Sequence, residues 1–481
     1  MTWWREAVLY QVYVRSFADS NGDGIGDLPG LTGRLDYLEW LGVDALWLNP
    51  TFPSPNEDWG YDVADYCGVH PDFGTLDDLD RLVAEAGRRG IRILLDLVPN
   101  HTSDRNPWFV GEHRDWYVWT DEPTNWRAVF GGSAWEWDER EGRYYLHTFL
   151  PEMPDLNWHV PGVRQEFDRI LRFWFDRGIA GFRIDVVHRT VKDLRLWDIA
   201  GRGRVERFPP TDIHATHELI RSWRRLADGY ESPRLLVGET YVLDVGEMAS
   251  FYGADADELQ LAFNFPFVHA TLSAAGLRRI VELTEQALPD VAWPVWTLSN
   301  HDHVRFPTRL CGGDERKIRC ALLLLLTLRG TPVLYYGDEL GLEQGPSAEP
   351  PLDRARPPRD GCRTPMPWDE EPPAITWLPH GDLSRNVAAE RADAGSMLTL
   401  CRDLIALRRG FAGEPYETLP AGPGVWAWRR GRVTVAVNLS ERTARVRHVE
   451  GDVRVATDRS RDGERVSGIL RLEPWSGAVV G

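Results

Sequence analysis

Lysine is almost missing from this chain: of 55 basic side chains, only Lys192 and Lys317 are lysines. Chemistry that runs through a Schiff-base lysine has little to draw on, and no glycine-rich phosphate cradle ends in one. Cysteine is scarce as well. Cys67, Cys311, Cys320, Cys362 and Cys401 show neither CxxC nor Cys/His spacing, which argues against both a disulfide framework and a zinc site. Long apolar runs are lacking too: the longest, Ala321 to Leu328, is far short of the ~20 residues a membrane-spanning helix needs. The opening Met1-Thr-Trp-Trp-Arg-Glu has neither the basic nor the apolar region of an export signal, so a cytoplasmic location is expected. Positive charge is in deficit. With 73 acidic residues the net charge is −18, a field that repels phosphate backbones and anionic lipid; neither nucleic acid nor membrane is an expected partner.

What is present is length, aromatic surface and a repeating unit. A chain of 481 residues has room for a (β/α)8 barrel of ~250 residues and more besides. The 22 Trp, 14 Tyr and 17 Phe supply flat faces of the kind that pack on sugar rings, although a large core draws on the same residues. The unit is an apolar-periodic helix, a glycine that stops it, and a short strand rich in Leu, Ile and Val. Thr75 can cap a helix with Leu76, Leu79, Leu82, Val83 and Ala86 on one face; Gly90 ends it, and the strand Ile91 to Asp96 follows. Leu28 to Leu41 leads through Gly42 into Val43 to Leu48, Val163 to Arg177 through Gly178 into Gly181 to Asp185, and Asp314 to Arg329 through Gly330 into Pro332 to Tyr336. Val8 to Val14, Leu235 to Glu239, Gln260 to Asn264 and Val295 to Ser299 complete eight strands. Eight such units in a row predict a TIM barrel rather than an open sheet.

The barrel is expected over 1–100 and 161–409. The polar, Trp-rich stretch 101–160 is too long for a βα loop and reads as an inserted subdomain; Pro346 to Pro358 reads as a long loop or lid. After the helix Ser396 to Arg409, alternating runs such as Arg432-Val-Thr-Val-Ala-Val predict an all-β sandwich domain over 410–481.

Reactive groups of such a barrel belong at the C-terminal ends of its strands. That rule selects Asp96-Leu-Val-Pro-Asn-His101, Gly181-Phe-Arg-Ile-Asp185, Val237-Gly-Glu-Thr240 and Ser299-Asn-His-Asp302. Asp185, Glu239 and Asp302 would then converge, with Arg183, His101 and His301 around them. Three carboxylates without cysteine ligands suit glycoside hydrolysis by a carboxylate pair, or a hard-metal site. Arg183, two residues before Asp185 and so on the same face of its strand, is expected to hold that carboxylate ionised.

These four segments resemble, in order, the conserved regions of the α-amylase family of glycoside hydrolases. Met153-Pro-Asp-Leu-Asn157 resembles a fifth region, and Arg359-Asp-Gly-Cys-Arg-Thr-Pro-Met-Pro-Trp368 is similar to the eighth-loop segment of the oligo-1,6-glucosidase and α-glucosidase branch. The resemblance implies a retaining mechanism on an α-glucoside, with Asp185 as nucleophile, Glu239 as general acid and base, and Asp302 binding hydroxyls of the distorted ring. It implies His101 and His301 as hydrogen-bond partners of the sugar, Tyr61 stacked beneath it, and Asp62 with Arg363 closing the pocket behind the non-reducing end. Such a pocket implies exo action on small oligosaccharides. Transglucosidases and isomerases of the same family, of the trehalose synthase or sucrose isomerase type, would share this constellation. Val186, after the nucleophile, matches the residue that accompanies α-1,6 preference; Gly238-Glu-Thr-Tyr241 departs from the usual α-1,6 pattern, and Met153 stands where the branch often has Gln. Asp19-Ser-Asn-Gly-Asp-Gly-Ile-Gly-Asp27 sets oxygens at alternate positions, as a hard cation requires. The pattern resembles a Ca²⁺ or Mg²⁺ site of this branch, with Asp19, Asn21, Asp23, the Ile25 carbonyl and Asp27 as ligands in a structural role.

Overall fold

The computed structural model describes residues 2–111, 113–200, 208–355 and 357–481, so that residue 356 of the Pro-rich stretch lies outside it. Eight parallel strands form one sheet: β1 (Leu9–Val12), β2 (Ala45–Leu48), β3 (Arg92–Leu97), β4 (Gly181–Ile184), β5 (Leu235–Gly238), β6 (Leu261–Ala262), β7 (Val295–Thr297) and β8 (Thr331–Tyr335). Their hydrogen-bonded order is β7-β8-β1-β2-β3-β4-β5-β6. Leu261 and Val295, from the two ends of that ladder, share one buried cluster with Leu9, Trp47, Leu94 and Val333; the sheet wraps around its own side chains as a barrel. The eight expected strands are all present. β6 shrinks to two residues because the Asn264 side chain accepts from Phe267 N and starts a short helix, Phe265–Val268.

The helices follow their caps. Thr75 and Asp78 bond reciprocally at the start of Leu76–Arg88, a capping box, and Gly42, Gly90, Gly178 and Gly330 all take positive φ where a helix hands over to a strand. The stretch Leu28 to Leu41 is two helices, Leu28–Gly33 and Leu35–Leu41, rather than one. Gly30 and Gly33 weaken the first, and Arg34, at the break, lies 4.1 Å over the Trp368 ring. Glycine at position 181 has a steric reason: a Cβ there would fall 2.2 Å from Leu235 O, so β4 and β5 approach only because it is absent.

Between β3 and the helix Pro161–Asp176, Arg143–Leu146 pairs on one side with Trp119–Thr120 and on the other with Trp135–Asp138 in a small antiparallel sheet. The C-terminal part is a six-stranded antiparallel sheet. Its long strand Ala444–Ala456 pairs with Arg465–Leu472 along its first part and with Ser476–Val480 at its end, which brings Val425, Val446, Leu470 and Ala478 into one core. Two buried arginines converge on one helix end, Arg408 from the helix Met397–Arg408 and Arg430 from the sheet, and the second ties the sheet to the barrel. Arg408 donates to Leu326 O and Leu328 O at 3.1 and 2.8 Å, and Arg430 to Thr327 O at 3.0 Å, so both satisfy carbonyls at the end of the helix Glu315–Thr327. Much of the tryptophan goes into packing: Trp126, Trp158, Trp174, Trp223 and Trp296 are fully buried. Among the described residues no helix is long and apolar enough to cross a membrane.

Beyond β8, Asp338 is completely buried and accepts from Tyr335 N at 3.1 Å. Burial pushes its carboxyl up to about 7, with Arg305 opposing. The folded state therefore holds a proton that the unfolded chain releases near ~3.9, and stability contributed at low pH is lost as pH rises from about 4 to about 7. Asp338→Asn is expected to remove that loss, gaining roughly 4 kcal/mol over wild type between pH 4 and pH 7.5. Chemical denaturation of both proteins at the two pH values checks this; parallel behaviour would refute it.

Candidate active site

Three strand ends and one guanidinium build the centre. Arg183 points into the barrel from β4. Its Nη1 donates to Asp96 Oδ1 and Asp185 Oδ1, each at 2.8 Å, and its Nη2 to Glu239 Oε2 at 2.5 Å. The parallel ladder extends one step past the strands to hold the carboxylates: Asp185 N donates to Leu97 O and Glu239 N to Ile184 O, both at 2.8 Å. Val186 takes φ 34°, a strained conformation for a β-branched residue, and its N–H donates to Glu239 Oε2 at 3.0 Å.

One buried cation thus faces three buried carboxylates. Burial works against the Arg183 charge, but Asp96 and then Glu239 outweigh it and hold its pKa well above the usual value. Burial raises Asp96 to about 6 against the pull of Arg183. Asp185 moves further up: desolvation comes first, Arg183 opposes it, and Glu239 and Asp96 add to it. Arg183 pulls Asp185 toward its ionised form, as expected of a neighbour on the same strand face, but does not cancel the rise. The guanidinium divides its charge among three partners, and the neighbouring carboxylates add to the burial that raises Asp185.

Asp302 stands across from this group. The Asn300 side chain accepts from the N–H groups of Asp302 and His303, each at 3.0 Å, which fixes the turn. His301 Nε2 lies 3.2 Å from Asp302, with Arg359 at 3.0 Å and Arg363 at 3.3 Å. Burial would raise this carboxyl, yet His301, Arg359 and Arg363 together hold it well below the usual range. His301 is neutral, pushed far down by burial. Its Nδ1 meets Gln11 Nε2 at 2.9 Å and its Nε2 meets the Tyr61 hydroxyl at 2.5 Å; Tyr61 covers the ring at 5.3 Å and bonds Asp96 Oδ2 at 3.1 Å.

Asp62 and Arg363, expected to work as a pair, have other partners. Asp62 is turned inward, accepting from Ser54 Oγ, Glu57 N and Asp58 N at 2.7, 2.9 and 3.1 Å, and it shapes the turn that carries Asp58. Arg363 lies behind His301, donating to its carbonyl at 2.9 Å. The cross-loop ion pair is Asp58 with Arg359. Arg359 also grips Asp353 through two 2.7 Å bonds and reaches Asp302, with Phe130 of the inserted segment beside it at 5.5 Å. Asp96 could have been found from the sequence, since it shares the inward face of β3 with Leu94. Asp58 and Asp353 carry no local signal, and Arg359 heads the quoted eighth-loop segment without a role assigned to it there. His101 is buried, its Nε2 3.2 Å from Tyr61 O, and Met153 is plain core. Tyr241, 42% exposed, stacks on His303 and contacts Phe265, an aromatic rim beside Glu239.

The loop 19–27 is a run of Asx turns. Asp19 accepts from Asn21, Gly22 and Gly24 N–H groups, Asn21 from Asp23, and Asp23 from Ile25, at 2.7 to 3.0 Å. Asp27 is buried and takes Ser20 N and Gly30 N. Asp19 Oδ1 and Asp27 Oδ2 each accept two hydrogen bonds, while Asp19 Oδ2, Asn21 Oδ1 and Asp23 Oδ1 accept one each and keep a lone pair. Among the described residues, no three His, Cys, Asp or Glu side chains form a group that could hold a metal.

Residues 11–412 match the model of the α-amylase catalytic domain. The chain belongs to the α-amylase family. A probable α-glucosidase of Rhizobium meliloti (strain 1021) is 38% identical over 85% of this chain and 82% of its own. An oligo-1,6-glucosidase of Parageobacillus thermoglucosidasius is 33% identical over 99% and 98%. Among solved structures, a trehalulose synthase from Pseudomonas mesoacidophila MX-45 superposes with a TM-score of 0.91 at 30% identity, covering 100% of this chain and 99% of that one. An α-glucosyl transfer enzyme does so with a TM-score of 0.90 at 35% identity, covering both chains completely. In this α-amylase family glycoside hydrolase, the fork of Arg359 ties Asp58, Asp302 and Asp353 together. Arg359→Lys keeps the charge but cannot span Asp353, Asp58 and Asp302 at once, and kcat/KM on a chromogenic α-glucoside is expected to fall about a hundredfold in a protein whose circular dichroism is unchanged.

Proposed function

We propose that this family member is a retaining, exo-acting α-glucosidase that removes glucose from the non-reducing end of short α-1,4 or α-1,6 glucosides. The observation that carries the reading is the meeting of Asp185 and Glu239 on one Arg183 guanidinium with Asp302 opposite. Asp185 attacks the anomeric carbon while Glu239 protonates the departing oxygen. Glu239 then takes a proton from water, whose oxygen displaces Asp185, and the α configuration is retained. Asp302, held ionised, binds ring hydroxyls, and the neutral His101 and His301 offer hydrogen bonds beside them. The Asp58–Arg359–Asp353 knot at the mouth supports exo action.

The test is NMR of product identity and anomeric form on maltose, isomaltose, sucrose and trehalose. Glucose released first as the α anomer is the expected outcome, with Asp185→Asn at least about a thousandfold slower; release as β glucose would overturn the retaining mechanism. Transglucosylation or sucrose isomerisation is the second reading, favoured by the transfer enzyme and trehalulose synthase among the structural neighbours. New disaccharides in place of glucose would select it.

For the 19–27 loop we propose a structural Ca²⁺ or Mg²⁺, held by Asp19, Asn21, Asp23, the Ile25 carbonyl and Asp27. Chelation is expected to lower the Tm of wild type, and Asp23→Ala to abolish its dependence on added cation. A wild-type Tm indifferent to chelator would reject the site.

A further inference from the structure

One of the two lysines is buried beside the active site and takes no part in the chemistry above. Lys192 is 1% exposed and spends all three of its protons: on Asn100 Oδ1, on Arg189 O at 2.6 Å and on Asp155 Oδ2 at 3.3 Å. Asp155 is 0% exposed and equally saturated. Its Oδ1 accepts from Asn100 Nδ2 at 3.1 Å and Thr148 N at 2.9 Å, and its Oδ2 from Thr148 Oγ1 as well as the lysine. The Asn100 amide sits between them and cannot turn over. A flip would set its NH2 against the ammonium and its oxygen against the carboxylate.

The fixed amide has one proton left, and it points at His101. Asn100 Nδ2 lies 3.0 Å from His101 Nδ1, so Nδ1 must accept and the ring proton must sit on Nε2. The other edge agrees, because Nε2 lies 3.2 Å from Tyr61 O, which can only accept. Burial pushes His101 down to about 4, so the ring is neutral at working pH and the tautomer is the remaining freedom.

We infer that Asn100, locked by Lys192 and Asp155, is a positioning residue that sets His101 as the Nε2–H tautomer and so ties the ring, by that proton, to the Tyr61 carbonyl of the pocket. The lock joins three separate pieces of chain: the end of β3, the inserted segment and the loop after β4. His101 thus takes this tautomer, and its tie to Tyr61, only when the insertion is seated on the barrel. The consequence for turnover rests on the α-glucosidase reading; the tautomer itself does not.

The experiment is nitrogen-15 NMR of the full chain labelled at histidine, with the His101 resonances identified by their loss in His101→Gln. Wild type is expected to show a protonated Nε2 and a bare Nδ1. Asn100→Asp keeps the volume and the lysine partner but offers only acceptors, so Nδ1 is expected to gain a proton and kcat/KM to fall about tenfold or more, mainly through KM. Lys192→Met, which frees the amide, is expected to shift the tautomer the same way; if it does not fold, Asn100→Asp decides alone. A protonated Nδ1 in wild type, an unchanged tautomer in Asn100→Asp, or an unchanged tautomer in folded Lys192→Met would each overturn the inference. Wild type inactive on every α-glucoside, with the tautomer as expected, would instead remove the functional reading and leave the lock standing.

Discussion

A single buried guanidinium holds the active site together. Arg183 lies inside the barrel among carboxylates from the ends of β3, β4 and β5, where low polarity strengthens each attraction and makes any unpaired charge costly. With three carboxylates and one cation, the pairing cannot be completed by charge alone, and burial together with the imbalance pushes the Asp96 and Asp185 carboxyls up. The same imbalance explains why the cluster must lie at strand ends. Only there can the backbone fix three acidic side chains against one arginine without relaxing apart, and Gly181 at the foot of β4 permits the close strand approach that sets the spacing.

A second knot, built from loops, stands opposite. Arg359 collects Asp58, Asp353 and Asp302, three residues from three connections, while His301 and Arg363 back Asp302 from the barrel side. Asp302 is held ionised where Asp185 is pushed toward its acid form. Environments that drive neighbouring carboxyl groups apart in this way give them different work in one reaction. Burying several charges yields little net stability, so these knots are best understood as devices for position, maintained by the large apolar core around them.

The inserted segment is seated through a third polar cluster, Lys192 with Asp155 and Asn100, in which every donor and acceptor is used. Buried networks of this kind tolerate no partial occupancy, and this one ends on His101. Family membership, the strand-end carboxylates and this proton ordering all describe the same pocket from different distances: the first gives the class of chemistry, the second its reacting groups, the third the direction of a hydrogen bond.

The periodicity of Leu, Ile and Val between stop glycines determined the eight strands and their helices, because a βα unit is a local pattern of burial and capping. The strand-end rule then brought Asp185, Glu239, Asp302, Arg183, His101 and His301 to one end of the barrel, since alternation along a strand dictates which residues face inward. Asp62 and Arg363 were legible as part of motifs but not as partners: the turn around Trp59 folds Asp62 into its own loop and sends Asp58 to Arg359, some three hundred residues away. That choice depends on how loops after different strands lean over the barrel mouth. So does the sharing of Arg183, which leaves Asp185 short of the charge its neighbour seemed to guarantee. Sequence spacing determines which residues share a face; the number of charges competing for one guanidinium is decided only when strands distant in the chain close into a ring.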